Sequence, residues 1–235
     1  MLLGNVCTRR CAFCAIGSGV PGEPDPGEPE RIADAVLRLG LTYCVITSVT
    51  RDDLLDRGAG HFAATVEAIK RRNASTKVEL LIPDMDGRED LIHAIASSGP
   101  DVIGHNLETV RRLQPIIRDR RAGYDVSLSI LANVRMIGDR PLTKSSLMLG
   151  LGEAREEVRS TMDDLYQAGV DILSLGQYLR PRGGRLPVTR YLPPEEFEEL
   201  RDEAYGVGFR HVASGPMVRS SYRAWATGDE QRVDG

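Results

Sequence analysis

Three cysteines near the start of the chain have the spacing of a metal-cluster loop. They are Cys7, Cys11 and Cys14, a C-x3-C-x2-C pattern that directly follows the apolar run 1–6. Three thiolates on one short loop can hold three corners of a cubane [4Fe-4S] cluster and leave the fourth iron without a protein ligand. Catalytic metals keep such an open position, whereas structural metals usually do not. The spacing therefore predicts a cluster that takes part in chemistry.

Two other interpretations of the cysteines fit the sequence less well. Structural zinc takes four protein ligands, and the one further cysteine, Cys44, lies in the apolar run 42–47, which is typical of a buried strand. We expect Cys44 to be a small core residue. A disulfide framework is unnecessary because 235 residues can build a hydrophobic core without one. Three clustered thiols also need a reducing compartment, so we expect a cytoplasmic protein.

The composition excludes several classes of function. Apolar residues make up 41% and charged residues 27% of the chain, the range of ordinary globular proteins. We expect no membrane span, because no apolar run approaches the required length of about 18 residues. The net charge of −4 argues against nucleic-acid binding, and an aromatic content of 5% argues against base-stacking surfaces.

Strand-like and helix-like segments alternate along the chain, which predicts parallel strands joined by helical crossovers. Amphipathic helices are expected around Ile32, Val36 and Leu39, around Phe62, Val66 and Ile69, over 153–169, and after Pro193. The predicted strands are Leu2–Val6, Tyr43–Thr47, Val78–Ile82, Val102–His105, Ser145–Leu149, Ile172–Leu175 and Phe209–Ala213. We predict one α/β domain over 1–235, a partial, open parallel βα barrel of about six units. The loops after the strands should form the reactive face, with the cysteine loop at its mouth.

The cysteine spacing, with an aromatic Phe13 before the last thiol, resembles the radical S-adenosylmethionine (SAM) superfamily. Several further stretches resemble the lipoyl synthase family within it, in register along nearly the whole chain. These stretches are 1–14, 47–54, 105–110, 143–153, 176–179 and 212–222. The resemblance implies that Cys7, Cys11 and Cys14 hold a [4Fe-4S] cluster whose open iron binds SAM. It also implies that reductive cleavage of SAM gives a 5′-deoxyadenosyl radical that abstracts hydrogen.

The resemblance also implies a set of SAM-binding residues: Asn106, Glu108, Ser127, Lys144, Gly150, Gly152 and Glu153. Five of them have a simpler interpretation from the residues alone. Asn106 and Glu108 suit a helix start, the two glycines suit a strand-to-helix turn, and Lys144 suits a solvated strand end. Two further features stay open between site and scaffold: the Arg51-Asp52-Asp53 loop and His105.

The Arg219-Ser220-Ser221-Tyr222 motif, in the C-terminal segment 214–235, resembles the one that ligates a second, auxiliary [4Fe-4S] cluster in this family. The resemblance assigns the ligand to Ser221. The other three family ligands are cysteines at C-x4-C-x5-C spacing ahead of the radical loop, and these 235 residues contain no such pattern. Three explanations stay open: a truncated chain, which we favour, a separate polypeptide that supplies the cysteines, or a diverged relative.

The resemblance implies the function of a sulfurtransferase that places sulfur at C6 and C8 of an octanoyl chain on a lipoyl carrier domain. The carrier would be a dehydrogenase E2 subunit or the glycine cleavage H protein, with a reducing electron donor. Arginine-rich stretches at 111–121 and 180–190 could dock an acidic carrier, although solvated helix faces are the commoner explanation of such stretches. The alternatives are a radical SAM enzyme without sulfur insertion and a catalytically dead carrier-binding fragment.

Overall fold

The computed structural model describes residues 1–137, 141–222 and 224. The strands are β1 (Val6–Cys7), β2 (Gly17–Ser18), β3 (Tyr43–Thr47), β4 (Lys77–Leu81), β5 (Val102–Gly104), β6 (Leu142–Leu149), β7 (Ile172–Gln177) and β8 (His211–Gly215). The helices are α1 (Glu28–Arg38), α2 (Ala59–Arg72), α3 (Glu89–Ser97), α4 (Gln114–Ile117), α5 (Tyr124–Met136), α6 (Arg155–Gln167) and α7 (Pro194–Val207). Short 3-10 turns lie at Met85–Gly87 and Arg111–Leu113.

Strands β3 to β8 form one six-stranded sheet in chain order, and every neighbouring pair is parallel. A parallel pair needs a crossover that returns the chain to the same end of the sheet, and helices provide it here. The carboxyl ends of all six strands therefore lie along one edge. This architecture confirms the predicted open parallel βα barrel of about six units.

The predicted amphipathic helices pack against this sheet as expected, with one correction. Phe62, Val66 and Ile69 of α2 are buried, as are Val158, Met162 and Leu165 of α6. In α1, however, Leu39 is 71% exposed. The helix ends at Arg38, and Leu39 is the C-cap residue at its end. No helix among the described residues has the length and apolar character needed to cross a bilayer.

The predicted first strand, Leu2–Val6, is wrong for most of its length. Leu2 forms an isolated parallel bridge with Ser48 beside β3, and only Val6 enters a strand. Between them Leu3 and Gly4 have φ angles of 64° and 87°. A left-handed backbone cannot continue a pleated strand, so the chain turns here before entering the cysteine loop.

The segment after β8 crosses the carboxyl end of β7 at very short range. A Cβ built on Gly176 would lie 2.2 Å from the carbonyl oxygen of Val218. Only a residue without a side chain allows the turn that carries the 219–222 motif to lie against β7. This is the reason that glycine is needed at position 176.

We predict that Gly176→Ala destabilises the fold, because the obstructing atom is backbone and must move. Overpacking of this kind costs about 1–3 kcal/mol. In a chain of this size that shifts Tm downward by about 2–4 °C per kcal/mol. Gly206→Ala in α7 is the matched control, since a Cβ there meets nothing within 4 Å. Calorimetry in which both variants melt alike would contradict this explanation.

Candidate active site

The cysteine loop lies at the carboxyl edge of the sheet, with all three thiols free. Each sulfur accepts one backbone N–H hydrogen bond. The donors are Arg9 to Cys7 Sγ at 3.4 Å, Asp119 to Cys11 Sγ at 3.3 Å and Ile16 to Cys14 Sγ at 3.5 Å. Hydrogen bonds to the sulfurs tune the potential of an iron–sulfur cluster.

The donor set fits a cluster better than a single ion. Among the described residues, no three His, Cys, Asp or Glu side chains converge as ligands of one metal ion. A cubane cluster makes a different demand, because each thiolate binds a different iron and the sulfurs need not meet at one point. Cys7, Cys11 and Cys14 all line one cavity, which is the arrangement that a cluster bound by three thiolates requires.

Arg9, between the first two cysteines, anchors the loop to the sheet. Its guanidinium is buried and forms ion pairs with Asp52 at 2.8 Å, with Asp86 at 3.2 Å and with the fully buried Asp84. Burial opposes the charge, but the hydrogen bonds to Asp52 and Asp84 outweigh it and raise the pKa of Arg9. Thr8 adds a bond from its hydroxyl to Asp52 Oδ2 at 2.8 Å. The Arg51-Asp52-Asp53 loop is thus a support of the cysteine loop.

The segment 117–121 also holds the loop in place. Ala12 N–H donates to the carbonyl of Ile117 at 2.8 Å, and Arg10 N–H donates to Asp119 Oδ2 at 2.9 Å. Burial raises the pKa of Cys11, while the Asp119 N–H and the positive charge of Arg118 act in the opposite direction. The cysteine loop is therefore fixed between two charged segments.

Two cavities open along the carboxyl edge of the sheet. The cysteine cavity, of about 250 Å³, holds the three thiols together with Arg118 and residues that follow β3 and β4. The second cavity, of about 270 Å³, lies over β6 and β7 and includes Arg219 and Ser220. Phe13, Asn106 and Glu108 line both, so these residues form the boundary between the two. A ligand larger than either cavity would pass over them.

Asn106 and Glu108 are held rigidly at this boundary. Glu108 has a φ of 72°, rare for a residue with a side chain, and is kept there by backbone bonds to both sides of Leu147 in β6. Burial raises the pKa of the Glu108 carboxyl, and the charge of Arg118 and a hydrogen bond from Asn106 oppose that rise. The alternative that both residues only cap a helix is not favoured, because a 3-10 turn begins later, at Arg111.

His105 and Ser127 form a buried chain of hydrogen bonds behind the cysteine cavity. His105 Nδ1 is 2.9 Å from the carbonyl oxygen of Ile82, and its Nε2 is 2.9 Å from Ser127 Oγ. Ser127 Oγ in turn accepts a bond from Arg118 Nη1 at 2.8 Å. Ser127 is fully buried, and no direct approach to either cavity is present.

The structure gives Lys144 a partner within the sheet. The strand β6 begins at Leu142 rather than the predicted Ser145, so Lys144 is an internal strand residue and not a solvated end. Its Nζ donates to Glu79 Oε1 at 2.8 Å, and both side chains are buried. Tyr43 Oη bonds the other oxygen of Glu79 at 2.7 Å. Neither cavity includes Lys144.

Glu153 and the two glycines shape the loop that follows β6. The Glu153 carboxylate accepts the backbone N–H groups of Gly150 at 2.5 Å and Leu151 at 2.9 Å. A Cβ on Gly150 would lie 2.2 Å from the Arg190 carbonyl oxygen, so this glycine allows the 180–190 segment to approach. Gly150, Gly152 and Glu153 lie outside both cavities, and their predicted contact with SAM stays a prediction.

Ser221 is exposed in a turn closed by a bond from Tyr222 N–H to the Arg219 carbonyl at 2.8 Å. Arg219 and Ser220 line the second cavity, which places Ser221 beside its rim.

Cys44 is buried in β3, as predicted, and burial raises its pKa to about 11. Residues 223 and 225–235 of the predicted C-terminal segment lie outside the described residues.

Each arginine-rich stretch contains both paired and unpaired arginines among the described residues, with Arg190 of the second stretch paired to Glu196 at 2.7 Å. In 111–121, Arg111 pairs with Asp125 and Arg112 with Glu157, each at 2.8 Å, as expected of a solvated helix face. In 180–190, the described residues provide no carboxylate partner within 4 Å for Arg180, Arg182 or Arg185. The second stretch keeps free charge beside the second cavity.

Arg118 is the site residue that the sequence analysis missed. It lies in the arginine-rich stretch 111–121, which was interpreted as a docking or solvated surface. One feature of the sequence sets Arg118 apart from its neighbours: the apolar pair Ile116-Ile117 directly precedes it. In the structure Ile117 is buried. A cation next to a buried residue has a different environment from one on an open helix face.

Comparisons with known proteins agree with this geometry. The sequence profile of the Radical SAM superfamily matches residues 1–165. A lipoyl synthase of Thermus thermophilus is 54% identical over 225 residues, which cover 95% of this chain and 70% of the relative. A lipoyl synthase of Pyrobaculum calidifontis is 53% identical over 227 residues, covering 95% and 77%.

Solved structures with low sequence identity share the fold. Streptococcus suis SuiB bound to its precursor peptide SuiA superposes with a TM-score of 0.70 at 12% identity, over 95% of this chain and 50% of that one. The hydrogenase maturase HydG of Carboxydothermus hydrogenoformans gives 0.65 at 12% identity, over 97% and 64%. At this identity the likeness concerns the fold alone.

We predict that His105 makes the folded protein sensitive to mild acid. Burial lowers the pKa of His105 to about 4, from an ordinary value near 6.5. The stabilisation by neutral His105 is complete above pH 6.5 and is lost as the pH falls to 4, because only the unfolded chain takes up a proton in that window. The loss amounts to about 3 kcal/mol.

Urea denaturation between pH 7 and pH 4 measures this loss, and His105→Gln should flatten the profile relative to the unmodified chain. His93→Gln is the control, because His93 is exposed on α3. Parallel profiles for the unmodified chain and His105→Gln would disprove the assignment.

Proposed function

This chain belongs to the lipoyl synthase family of the radical SAM superfamily, and we propose how its residues carry out that family's reaction. It is a radical SAM sulfurtransferase, which inserts sulfur at C6 and C8 of a protein-bound octanoyl chain. Identity above 50% over nearly the whole chain does not favour the alternatives of a radical enzyme without sulfur insertion or a dead fragment.

Cys7, Cys11 and Cys14 hold the [4Fe-4S] cluster in this proposal. The observation that carries it is the shared cysteine cavity, in which three free thiols each accept one backbone N–H. A set of three thiolates leaves one iron for the cosubstrate. When bound, the cluster supplies the electron that cleaves SAM into methionine and a 5′-deoxyadenosyl radical.

The protein's own residues position SAM across the two cavities. Asn106 and Glu108, on the boundary, contact it directly, since amide and carboxylate groups accept from hydroxyl and ammonium donors. Ser127 acts from behind the site, through its hydrogen bonds with His105 and Arg118. Lys144 supports the site through its ion pair with Glu79 inside the sheet. Gly150, Gly152 and Glu153 shape the loop that covers the adenosine end.

The buried walls of the two cavities limit access of water to the reaction. An unactivated C–H bond cannot be deprotonated by a side-chain base near neutral pH, so a radical must abstract the hydrogen. Exclusion of solvent prevents side reactions of that radical. Phe13 and the apolar side chains of Leu147 and Met148 supply such walls.

Ser221 is the proposed ligand of an auxiliary [4Fe-4S] cluster beside the second cavity. An oxygen ligand binds iron less strongly than a thiolate does, which suits a cluster that gives up its sulfur. The only other cysteine of the 235 residues is Cys44, which is buried in β3. The thiolates that would accompany Ser221 are therefore not among these residues.

The acyl-bearing partner is proposed to be a lipoyl carrier domain of a dehydrogenase E2 subunit or the glycine cleavage H protein. An acidic docking surface on the carrier would suit three arginines that have no carboxylate partner among the described residues: Arg180, Arg182 and Arg185.

We further propose that 1–235 form a single domain, because both hydrophobic clusters pack on one sheet. A reducing protein supplies the electron.

Cys11→Ala should abolish formation of 5′-deoxyadenosine from SAM, because loss of one thiolate removes a corner of the cluster. The measurement is chromatography of the products after anaerobic reconstitution and reduction with dithionite. Cys44→Ala is the matched control, a cysteine-to-alanine change away from both cavities, and should retain the activity. Equal activity of Cys11→Ala and the unmodified chain would remove Cys11 from the site.

We expect about four irons per 235-residue chain after reconstitution, the content of one cubane cluster. Colorimetric iron and sulfide assays measure it, and a Ser221→Ala variant should give the same value. A content of about eight irons that falls to four in Ser221→Ala would contradict the conclusion that these 235 residues contain enough cysteine ligands for one cluster only.

A further inference from the structure

The surface beside the cysteine loop carries positive charge that the protein itself does not neutralise. Arg10 lies between Cys7 and Cys11, and Arg120 lies in the segment 117–121 that holds the loop. Both arginine side chains are exposed, and neither has a carboxylate within 4 Å in the part of the chain that the structure describes. The whole chain has a net charge of −4, so this local excess of positive charge does not follow from its composition.

The loop and the segment 117–121 form one continuous surface. Two backbone hydrogen bonds described above join them, and Arg121 Nη2 adds a third bond to the Thr8 carbonyl oxygen at 2.6 Å. We use the name arginine patch for the exposed side chains of Arg10, Ile116, Arg120 and Arg121. The patch thus has one apolar residue beside three guanidinium groups.

The acidic groups of these segments are turned inward. The side chains of Asp119 and Asp52 are 11% and 16% exposed, whereas Arg121, which pairs with both, is 43% exposed. The Asp119 carboxylate accepts the backbone N–H groups of Arg10 and Arg121 and the Arg121 Nε–H. These carboxylates are therefore engaged in holding the loop, while the guanidinium groups remain at the surface. A partner that approaches the patch meets positive charge.

The arginine patch lies next to a proposed ligand of the cluster and outside both cavities. Arg10 is covalently adjacent to Cys11, and the N–H of Asp119, the residue before Arg120, donates to Cys11 Sγ at 3.3 Å. None of the four patch residues lines the cysteine cavity or the second cavity. A protein bound to the patch would contact residues that adjoin Cys11 and would leave both cavities open.

We infer that the arginine patch is the docking surface of the protein that reduces the cluster, and that this protein is a one-electron carrier with an acidic surface. The inference rests on the proposed function, which requires one electron for each SAM that is cleaved. At this surface the carrier loses one electron and the cluster gains it, and no bond or proton is exchanged. Electron transfer slows steeply with distance, which favours a docking surface adjacent to a cluster ligand.

The small size and the charge of the patch suit a transient encounter. Complexes of electron carriers with their partners are at the small end of protein interfaces, below about 1,200 Å². Complementary charge in such encounters acts mainly on the rate of association, and salt weakens the effect. The stretch 180–190, proposed above to dock the acyl carrier, is a separate segment of the chain, so the two partners can be tested separately.

The test compares two reductants of the anaerobic, cluster-loaded chain: a fully reduced flavodoxin with an acidic surface, and dithionite at saturating concentration. The rate of 5′-deoxyadenosine formation gives kcat/KM for flavodoxin. The double variant Arg10→Gln/Arg120→Gln should lower this kcat/KM by about 10-fold at low ionic strength, the lower end of electrostatic steering. The difference should shrink to less than about twofold at about 1 M salt, where the Debye length is about 3 Å.

The rate with saturating dithionite should not change in the double variant, because a small reductant needs no docking surface. Only side chains are altered, so the Arg10 N–H that bonds Asp119 is retained. The variant Arg10→Lys/Arg120→Lys should keep kcat/KM for flavodoxin within about twofold of the unmodified value, since steering depends on charge more than on the shape of the guanidinium.

Binding gives a second readout that does not depend on turnover. Anaerobic biolayer interferometry measures the Kd of the flavodoxin complex, which should rise about 10-fold in Arg10→Gln/Arg120→Gln at low ionic strength. The matched control is Arg38→Gln/Arg210→Gln, which changes the net charge equally. Both control arginines are exposed, have no carboxylate within 4 Å among the described residues, and lie shortly before β3 and β8. The control should leave kcat/KM and Kd unchanged.

Three results would overturn the inference while the proposed function stands: an equal loss in the control variant, an equal loss with dithionite, or an unchanged Kd for flavodoxin. Weaker binding of an octanoylated carrier domain in Arg10→Gln/Arg120→Gln, with unchanged flavodoxin kinetics, would assign the patch to the acyl carrier and would also overturn it. Failure of the unmodified chain to form 5′-deoxyadenosine with dithionite would overturn the proposed function, and the inference with it.

Discussion

The site depends on the ion pairs that the buried guanidinium of Arg9 forms with Asp52 and Asp84. The guanidinium joins the cysteine loop to Asp52 after β3 and to Asp84 after β4, so three separate loops at the carboxyl edge share one cation. Removing one member of a buried ion pair leaves an uncompensated charge, which costs about 3–5 kcal/mol. The loop that carries the thiols has little regular structure of its own beyond two residues of β1. Its position therefore comes from this charge network more than from backbone pairing.

The two cavities divide the chemistry of the site. The cysteine cavity contains the thiols and Arg118, whereas the second cavity lies over the carboxyl ends of β6 and β7 and is also lined by the turn before Ser221. Glu108 belongs to both, and its left-handed backbone is held in place by pairing with β6. Such strain persists only where surrounding bonds fix it, which is common at functional sites. Glu108 is thus held in a fixed conformation at the boundary between the two cavities.

The turn that carries Ser221 shows how far a local motif depends on a distant strand. Its approach to β7 is possible because position 176 has no side chain. The same logic applies at Gly150, where the 180–190 segment passes at equally short range. Both glycines shape the protein's own packing, and the rim of the second cavity is built on these two close approaches.

The sequence by itself determined the alternation of strands and helices, the cysteine loop and the side of the sheet on which the site lies. These follow from local periodicity and from the rule that parallel strands end along one edge. Only the tertiary structure decided which polar residues face the cavities. Lys144 and Arg118 are both basic residues in the sequence, yet one is paired with Glu79 inside the sheet and the other keeps a free edge beside the thiols. That difference arises from contacts between residues far apart in the chain, which no local pattern records.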